Sequence, residues 1–458
     1  MDFIHQPYQP GETIAAIATA PGEGGVAIVR ISGNEAFSVA AKIFSGTVHL
    51  YKSHTAHYGQ VLNLAKERVD DVLLLVMRGK RSYTGEDTVE IHCHGGSLIT
   101  RRVLEVVLQA GARAARPGEF TLKAFMNGKL DLAQAEAVQE LICAKNEHAL
   151  DAAENQLKGA LSKKIVEFQH ELTATAAILE AWVDFPDEGL EFATMEETCE
   201  LLDGVRLKMQ QLADTFHNGR ILHDGISLCL IGCPNAGKSS LMNALLDKDR
   251  AIVSHVPGTT RDILEDHIRL NGLNFRLLDT AGIRDSDEMI EQEGIRRSKE
   301  AMGNADLILL VLDAVKGVGH EELQLIEQAP LHKTIVVWNK TDLPYEGLPV
   351  LEFPHIVCIS AKEKIGLDLL RNKIDSVIWE KGPPARDEVL ITNVRHKEAL
   401  SNAIFFCQSI VKGLQAGTSP EFLSFDMRQC LSELGKIIGT NITEDILSAI
   451  FSKFCIGK

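Results

Sequence analysis

Residues 226 to 244, ISLCLIGCPNAGKSSLMNA, constrain the fold more than any other stretch of the chain. An apolar run with strand character ends at Gly232, Gly237-Lys238-Ser239 follows, and apolar residues then recur at helical spacing. Strand, glycine loop and helix with the spacing G-x-x-x-x-G-K-S predict a phosphate-binding loop. Glycines let backbone N–H groups approach phosphate oxygens, the Lys238 ammonium reaches the outer phosphates, and the Ser239 hydroxyl is placed to ligate Mg²⁺.

Length and charge limit the other possibilities. A chain of 458 residues predicts about three domains. The net charge of −16 and the pI near 5.5 argue against a protein that coats nucleic acid through its overall charge. The N-terminal residues lack the pattern of a signal peptide, no apolar run is long enough to span a membrane, and the nine cysteines form no Cys-x-x-Cys pair. We therefore expect a cytoplasmic protein with no membrane association.

The nucleotide-binding region is predicted as residues 223–384. Strand-like segments there alternate with helical ones, which is typical of a doubly wound, mostly parallel sheet covered by helices on both faces. The strand-like segments are ISLCLIG, NFRLLDT, DLILLVLD, KTIVVWN and HIVCIS. Ligands of such sheets bind at the carboxyl ends of the strands.

The flanking regions predict the rest of the architecture. Residues 1–125 are typical of an α+β domain, with strands in TIAAIAT, GGVAIVRISG, DDVLLLVMRG and DTVEIHCHGG. Residues 126–222 and 385–458 are both helical, and neither is complete alone. We expect one helical domain, split in sequence, into which the P-loop domain is inserted. The predicted fold class is thus multidomain α/β plus α.

A second motif selects the base. Asn339-Lys340-Thr341-Asp342 follows the strand KTIVVWN directly, and Ser360-Ala361-Lys362 follows another strand. A carboxylate at Asp342 can accept hydrogen bonds from the ring N–H and the exocyclic amine of guanine, whereas adenine presents the wrong pattern. Together with the phosphate loop, these motifs predict a GTPase.

Two further segments have the character of switch loops. Asp279-Thr280-Ala281-Gly282 supplies an acid for the Mg²⁺ shell and a glycine N–H for the γ-phosphate, and Thr260 in Pro257–Asp262 is the expected threonine on Mg²⁺. Ile283 occupies the position at which Ras-like enzymes carry a water-orienting glutamine. Catalysis therefore needs a substitute for that side chain.

Several groups could be the substitute, and the residues by themselves leave the choice open. Acidic side chains follow the motif, Arg284 could act as an internal arginine finger, and each could equally be a solvated switch residue. The acidic candidates are Asp285, Asp287, Glu288, Glu291 and Glu293. A monovalent cation is another possibility, since the side-chain carbonyl of Asn235 in the phosphate loop suits such an ion.

Cys455 in the final residues FCIGK can be interpreted in two ways. It could be a small apolar residue that closes a helix, or a functional thiol near Lys458.

A basic group of arginines could contribute to nucleic-acid binding or be a solvated helix face; its members are Arg101, Arg102, Arg113 and Arg116.

The motifs together resemble the MnmE (TrmE) family of tRNA-modification GTPases, over essentially the whole chain. The blocks that carry the resemblance are GGVAIVRISG, SYTGEDTVEIHCHGG, ARPGEFTLKAFMNGKLDLAQAEAV, DFPDE, GCPNAGKSSLMNAL, PGTTRD, DTAGIR, NKTD and FCIGK. The resemblance implies an N-terminal folate-binding and dimerising domain, a discontinuous helical domain and an inserted GTPase. It also implies a homodimer that works with the flavoprotein MnmG, in a heterotetrameric complex, on the wobble uridine of certain tRNAs.

The resemblance also implies residue roles by position. The contacts to 5-formyl- or methylene-tetrahydrofolate would be Arg30, Glu90, Lys129 and Lys458. The K⁺ ligands would be the side chain of Asn235, the carbonyls of Ser254 and Val256, and Thr259; the Mg²⁺ ligands would be Ser239 and Thr260. Glu291 would act on the hydrolytic water, and Cys455 would be a functional cysteine.

The full GTP site expected from the motifs and the resemblance extends over five segments. It comprises Asn235, Ala236, Gly237, Lys238, Ser239 and Ser240; Ser254, His255, Val256, Pro257, Gly258, Thr259 and Thr260; Asp279, Thr280, Ala281 and Gly282; Asn339, Lys340 and Asp342; and Ser360, Ala361 and Lys362.

The competing hypothesis is a GTP-switched assembly factor, for example one associated with ribosomes, whose N-terminal domain is only a scaffold. Folate binding and the role of Cys455 distinguish the two.

Overall fold

A computed structural model describes residues 8–184, 194–246, 267–278, 302–379 and 382–458. The chain divides into two compact units. Unit 1 comprises Met1–Ile142, Glu154–Gln210 and Glu398–Lys458, and unit 2 comprises Cys143–Ala153 and Gln211–Lys397. In the part of the chain that the structure describes, we find no helix with the length and apolar character needed to cross a bilayer.

A six-stranded sheet forms the N-terminal part of unit 1, with strand order β3-β4-β5-β2-β1-β6. All neighbouring strands pair antiparallel except β1 and β6, which pair parallel. The strands are β1 (Ile14–Ile17), β2 (Val26–Ser32), β3 (Thr55–Leu62), β4 (Arg68–Met77), β5 (Thr88–His94) and β6 (Arg113–Ala114). The four strands predicted from the sequence are β1, β2, β4 and β5, and β3 and β6 were not predicted.

The two faces of this sheet differ in character because side chains alternate along each strand. Val29 and Ile31 on β2 are fully buried, and they pack with α1 (Ala36–Ile43) and α2 (Ser97–Gln109) in one apolar core. Arg30 lies between these two residues, so it points to the opposite face. This face carries the polar residues discussed below.

The other described helices of unit 1 come from both sides of the nucleotide-binding region in sequence. They are α3 (Glu119–Met126), α4 (Leu132–Cys143), α6 (Ala160–Asp184), α7 (Met195–Asp214), α12 (Val394–Gln415), α13 (Pro420–Ile438) and α14 (Glu444–Phe451). Helix α5 (Glu147–Leu157) contributes residues to both units. On α13, Leu423, Met427, Cys430 and Leu434 are buried at helical spacing. The amide of Gln169 on α6 donates to the Leu431 carbonyl of α13.

Unit 2 contains a second six-stranded sheet, with order β12-β11-β10-β7-β9-β8. Its strands are β7 (Ile226–Ile231), β8 (His267–Leu270), β9 (Leu273–Leu278), β10 (Leu307–Asp313), β11 (Thr334–Asn339) and β12 (Ile356–Cys358). The five strands predicted from the sequence all pair parallel, whereas β8 adds an antiparallel edge. Every residue of β7, β10 and β11 is buried, as expected for strands covered on both faces.

In the residues described for unit 2, the helices are α8 (Phe216–Asp224), α9 (Lys238–Leu246), α10 (His320–Gln328) and α11 (Leu367–Ile378). Short 3₁₀ turns occupy Val48–Leu50 and Gly79–Arg81 in unit 1 and Leu331–Lys333 in unit 2. Two apolar clusters occupy the two faces of the parallel sheet, one with Leu228 and Leu309 and the other with Ile308 and Leu310. These observations confirm the predicted multidomain α/β plus α class.

Candidate functional site

The phosphate-binding loop joins β7 to α9 through backbone conformations that favour glycine and asparagine. Gly232 has φ 153° and Gly237 has φ 95°, and Asn235 adopts φ 64°. A Cβ atom on Gly232 would lie 2.2 Å from the Val311 carbonyl oxygen, so no side chain fits there. Helix α9 begins at Lys238, directly after the loop, which directs its N-terminal N–H groups toward the loop.

The Lys238 ammonium donates hydrogen bonds to two carbonyl oxygens of its own loop. The distances from Nζ are 2.7 Å to Gly232 and 3.1 Å to Cys233. Burial lowers the pKa of Lys238, and the nearby Cys233 opposes that shift. The ammonium is therefore held over the loop that must receive the phosphates, in the place that the sequence predicts.

Asn339 connects the phosphate loop to the guanine-recognition segments. It is 2% exposed, its Nδ2 donates to the Ala236 carbonyl at 2.9 Å, and its Oδ1 accepts from the Ala361 N–H at 3.0 Å. A Cβ atom on Gly237 would lie 2.2 Å from Asn339 Nδ2. Both polar ends of the amide are thus used inside the protein, and Gly237 is required for the close approach.

Lys340 makes a second connection to the same loop. Its Nζ donates to the Asn235 carbonyl oxygen and to Asp313 Oδ2, both at 2.7 Å, while its backbone has φ 67°. Asp313 is buried, which alone would raise the pKa of its carboxyl, but the bonds from Lys340 and the Val315 N–H lower the pKa below the usual value. An ionised Asp313 therefore fixes the lysine that holds the loop.

Asp342 is exposed and available to a ligand. The hydroxyl of buried Ser360 donates a hydrogen bond to it, and this bond, with Lys362 and Lys340 nearby, lowers the pKa of the Asp342 carboxyl. A backbone bridge between Ser360 and Ile365 fixes the Ser360 segment. The carboxylate is thus charged and positioned as an acceptor for two N–H groups, as guanine recognition requires.

The structure brings the phosphate loop together with the Asn339 and Ser360 segments. Ser239 and Ser240 lie exposed in the first turn of α9, and Asn235 is exposed on the loop. The exposed hydroxyls and amide oxygen are oxygen ligands of the kind that Mg²⁺ and K⁺ prefer. The remaining predicted residues lie outside the described part of the chain: Ser254, His255, Val256, Pro257, Gly258, Thr259, Thr260, Asp279, Thr280, Ala281, Gly282, Ile283 and Glu291.

Cys233 within the loop is a protonated thiol. Burial, together with the Glu322 and Glu321 carboxylates, raises the pKa of Cys233 to about 12. The thiol donates to Glu322, which also accepts from the Gly319 N–H at 3.0 Å at the start of α10. The sulfur therefore links the loop to α10 and is not a thiolate at neutral pH.

Unit 1 contains a second group of predicted residues, centred on Arg30 and Glu90. They face each other across β2 and β5, with Arg30 Nε 2.8 Å from Glu90 Oε1. The Arg30 guanidinium carbon lies 6.0 Å from the centre of the Tyr83 ring and 5.6 Å from that of Phe120. His92 Nε2 lies 3.5 Å from the other oxygen of Glu90. The ion pair therefore lies beside two aromatic rings.

The final residues of the chain pack against this group. We call residues 452–458 the Cys455 segment. The Cys455 carbonyl accepts from the Gly118 N–H at 3.4 Å, the Lys458 carbonyl accepts from the Phe120 N–H at 3.2 Å, and the Gly457 carbonyl accepts from Arg30 Nη1 at 3.1 Å. Residues far apart in sequence therefore meet at the Arg30–Glu90 pair.

The other predicted residues of this region differ in exposure. Cys455 is exposed, and Lys458 is half-buried. Burial, with Arg30 nearby, lowers the pKa of the Lys458 ammonium, against the opposing effects of Glu90 and Cys455. Lys129 is exposed, and its Nζ donates to the Lys80 carbonyl at 2.8 Å.

One member of the predicted basic group has another role. Arg113 donates to Glu12 at 2.7 and 2.9 Å and to Glu119 at 2.5 and 3.2 Å, so its guanidinium is part of an internal ion-pair network. The hydrogen bond from Arg113 lowers the pKa of Glu12. Arg101 and Arg102 are exposed on α2.

Sequence reasoning missed three residues that shape these sites: Asp313, Tyr83 and Phe120. Asp313 ends the buried strand β10, and it lies beside Asn339 in the register of β10 and β11. An acid at the end of an apolar strand was the available signal. Tyr83 and Phe120 had no comparable signal, because aromatic residues in loops and helix starts are common core residues.

Comparison with known proteins gives full-length matches. A family model described as the MnmE helical domain matches residues 132–455, and one described as the GTP-binding protein TrmE N-terminus matches residues 13–129. The tRNA modification GTPase MnmE of Protochlamydia amoebophila (strain UWE25) is 70% identical over 458 residues, which is 100% of both chains. Those of Clostridioides difficile (strain 630) and Alkaliphilus oremlandii (strain OhILAs) are 41% and 42% identical, over 98% of this chain and 99% of each relative. The chain belongs to the MnmE family of tRNA modification GTPases.

Proposed function

We propose that this GTP hydrolase of tRNA modification acts with the flavoprotein MnmG to install a (carboxymethyl)aminomethyl group at carbon 5 of the wobble uridine of certain tRNAs. A folate one-carbon unit supplies the methylene, and glycine or ammonium supplies the amine. The observation that carries the proposal is the packing of the Cys455 segment against the Arg30–Glu90 pair in unit 1. A GTP switch alone does not need an exposed cysteine in a segment that an ion pair holds.

The nucleotide cycle follows from the arrangement in unit 2. The loop N–H groups and Lys238 bind the phosphates, and Asp342 selects guanine. Ser239 and Thr260 would hold Mg²⁺, and Asn235, Thr259 and the carbonyls of Ser254 and Val256 would hold K⁺. Bound cations neutralise the charge that develops on the phosphates during hydrolysis. Glu291 would act on the hydrolytic water in place of the glutamine that Ile283 replaces.

Folate is the proposed ligand of unit 1. Arg30 and Glu90 offer a charged donor and an acceptor beside the Tyr83 and Phe120 rings, and Lys458 adds a cation from the Cys455 segment. Lys129 would contribute from the segment after α3. The thiol of Cys455 would then lie near the one-carbon unit. The protein would have three domains and would form a homodimer through residues 1–125. The homodimer would bring two such sites into one assembly.

Arg30→Ala is expected to weaken binding of 5-formyltetrahydrofolate by about tenfold or more. A hydrogen bond from a charged donor contributes about 1.5–3 kcal/mol, and the substitution also leaves Glu90 without its cation. Isothermal titration calorimetry on the full-length protein measures the effect. Arg68→Ala is the matched control, since Arg68 is an exposed arginine of the same sheet that pairs with Asp71. Unchanged affinity in Arg30→Ala would contradict the folate site.

Replacing K⁺ by Na⁺ at constant ionic strength is expected to lower GTP turnover by about tenfold or more, because a lost charge-stabilising group in a transition state typically costs at least that factor. Asn235→Ala should be slow in both salts, since it removes the proposed side-chain ligand while the Lys340 bond to the Asn235 carbonyl remains possible. Steady-state phosphate release measures the wild type and Asn235→Ala in both salts. Equal rates of the wild type in the two salts would refute the role of K⁺.

The alternative function is a GTP-switched assembly factor, for example one associated with ribosomes. The nucleotide site is compatible with it, because both functions need GTP binding. Absence of folate binding in the wild type would favour this alternative. Because this chain has a net charge of −16, we propose that MnmG supplies much of the tRNA-binding surface. We also propose that the complex works in the cytoplasm without membrane association.

A further inference from the structure

We propose that Arg30, held by Glu90, is the positioning residue of the Cys455 segment. The Arg30 guanidinium contacts two partners at once: Nε lies 2.8 Å from Glu90 Oε1, and Nη1 lies 3.1 Å from the Gly457 carbonyl oxygen. Arg30 and Glu90 have only 15% and 12% of their side chains exposed, so this bridge is largely shielded from water. Cys455 is two residues from the carbonyl that Arg30 holds.

Within the Cys455 segment, residues 455–457 have little side-chain surface buried in the protein. Phe451 and Phe454 are buried in an apolar cluster with Leu132, which anchors the end of α14. After Phe454 the side chains are no longer buried: Cys455 is exposed, and Ile456 is 61% exposed. The position of residues 455–458 therefore depends strongly on backbone contacts.

Three main-chain oxygens of the segment accept hydrogen bonds, and Arg30 is the one donor among these three that carries a charge. The others come from the backbone N–H groups of Gly118 and Phe120, at 3.4 and 3.2 Å. A hydrogen bond from a charged donor is roughly twice as strong as one between neutral groups. Arg30 therefore contributes a strong polar contact to the segment, from a donor that is itself fixed by Glu90.

Gly457 allows the segment to reach Arg30. It has φ 96°, and a Cβ atom there would lie 2.4 Å from the Ile17 carbonyl oxygen and 2.9 Å from Ala18 Cα. The backbone of Gly457 thus packs directly on the end of β1, next to β2 and Arg30. Any side chain at this position would displace the Gly457 carbonyl from the guanidinium.

Lysine could not replace arginine in this bridge. Glu90 and the Gly457 carbonyl bind different nitrogens of one planar group, and an ammonium offers a single nitrogen on a flexible stem. Glu90 sits on β5 directly opposite Arg30, so the paired strands fix the direction of the fork. This role goes beyond ligand binding and exists in the ligand-free protein, so its test needs no folate.

Hydrogen–deuterium exchange of the full-length protein tests the proposal. Arg30→Lys is expected to speed exchange of the Gly118 and Phe120 amides and of residues 455–458 by about ten- to a hundredfold, the loss expected for a hydrogen bond to a charged group. Glu90→Gln should act in the same direction and more weakly, because an amide oxygen still accepts from Nε. In both variants, exchange in β3 and β4 should not change. The control Arg68→Ala should leave the amides of Gly118, Phe120 and residues 455–458 as in the wild type.

A double-mutant cycle separates positioning from general support. Gly457→Ala should release the same amides, and adding Arg30→Lys to it should have little further effect, since both act through the Gly457 carbonyl. Unchanged exchange in Arg30→Lys alongside release in Gly457→Ala would show that packing holds the segment, and would overturn the proposal. Faster exchange throughout the sheet of unit 1 in Arg30→Lys would overturn it as well.

Discussion

Asp342→Asn is expected to lower the affinity for GTP by about a hundredfold or more and to transfer the preference to xanthosine triphosphate. The carboxylate can accept from both N–H groups on the guanine edge, whereas an asparagine amide accepts one and presents its own NH₂ to the other. Leaving a polar group of the ligand unpaired costs about 1–3 kcal/mol, and more for a charged partner. Xanthine carries a carbonyl where guanine carries the amine, so it matches the asparagine amide.

In the structure, Asp342→Asn changes one functional group and leaves the contact from Ser360 possible. The Ser360 hydroxyl that donates to the Asp342 carboxylate can donate equally to an amide oxygen, so the orientation of the side chain should persist. Binding of GTP, xanthosine triphosphate and ATP to each variant is measured by calorimetry. Glu346→Gln, an exposed residue of the same segment, controls for the loss of one negative charge. A variant that still prefers GTP would remove Asp342 from the base-recognition site.

Asn339→Asp is expected to destabilise unit 2 by about 3–5 kcal/mol, because it places an uncompensated charge in the interior. The new oxygen would lie near the Ala236 carbonyl, where Nδ2 now donates at 2.9 Å. The phosphate loop loses its hydrogen bond from Asn339 in the same step, so GTP affinity should fall as well. Urea unfolding and GTP titration of the full-length protein measure the two effects.

The pH dependence of this variant identifies the cause. Burial raises the pKa of a carboxyl, so the folded variant binds a proton more tightly than the unfolded one. Its stability relative to the wild type should then recover as pH falls through the raised pKa, because the protonated acid can donate to the Ala236 carbonyl again. Asn304→Asp, at an exposed position of unit 2, should show neither effect. A loss of stability that did not vary with pH would point to altered packing instead.

Local sequence motifs were enough to predict many residues of the nucleotide site. Lys238 and Asn339 could be placed because their spacing from apolar strands implies the strand ends where ligands bind. Strand β8 was missed, although Asn271 and Gly272, with φ 51° and 77°, are the asparagine–glycine turn of a tight hairpin between β8 and β9. That signal was local and available, whereas strands β3 and β6 depend on partners that sequence patterns do not reveal.

The sequence by itself determined the P-loop class of unit 2, the guanine-selecting motif and the family, because each depends on residue types at short, regular spacings. Only the tertiary structure decided that Asp313 holds Lys340, that Asn339 joins Ala236 to Ala361, and that Arg30 holds both Glu90 and Gly457. These contacts join residues that are distant in the chain and carry no shared pattern. They arise from strand register, and from glycines whose missing side chains allow two backbones to meet.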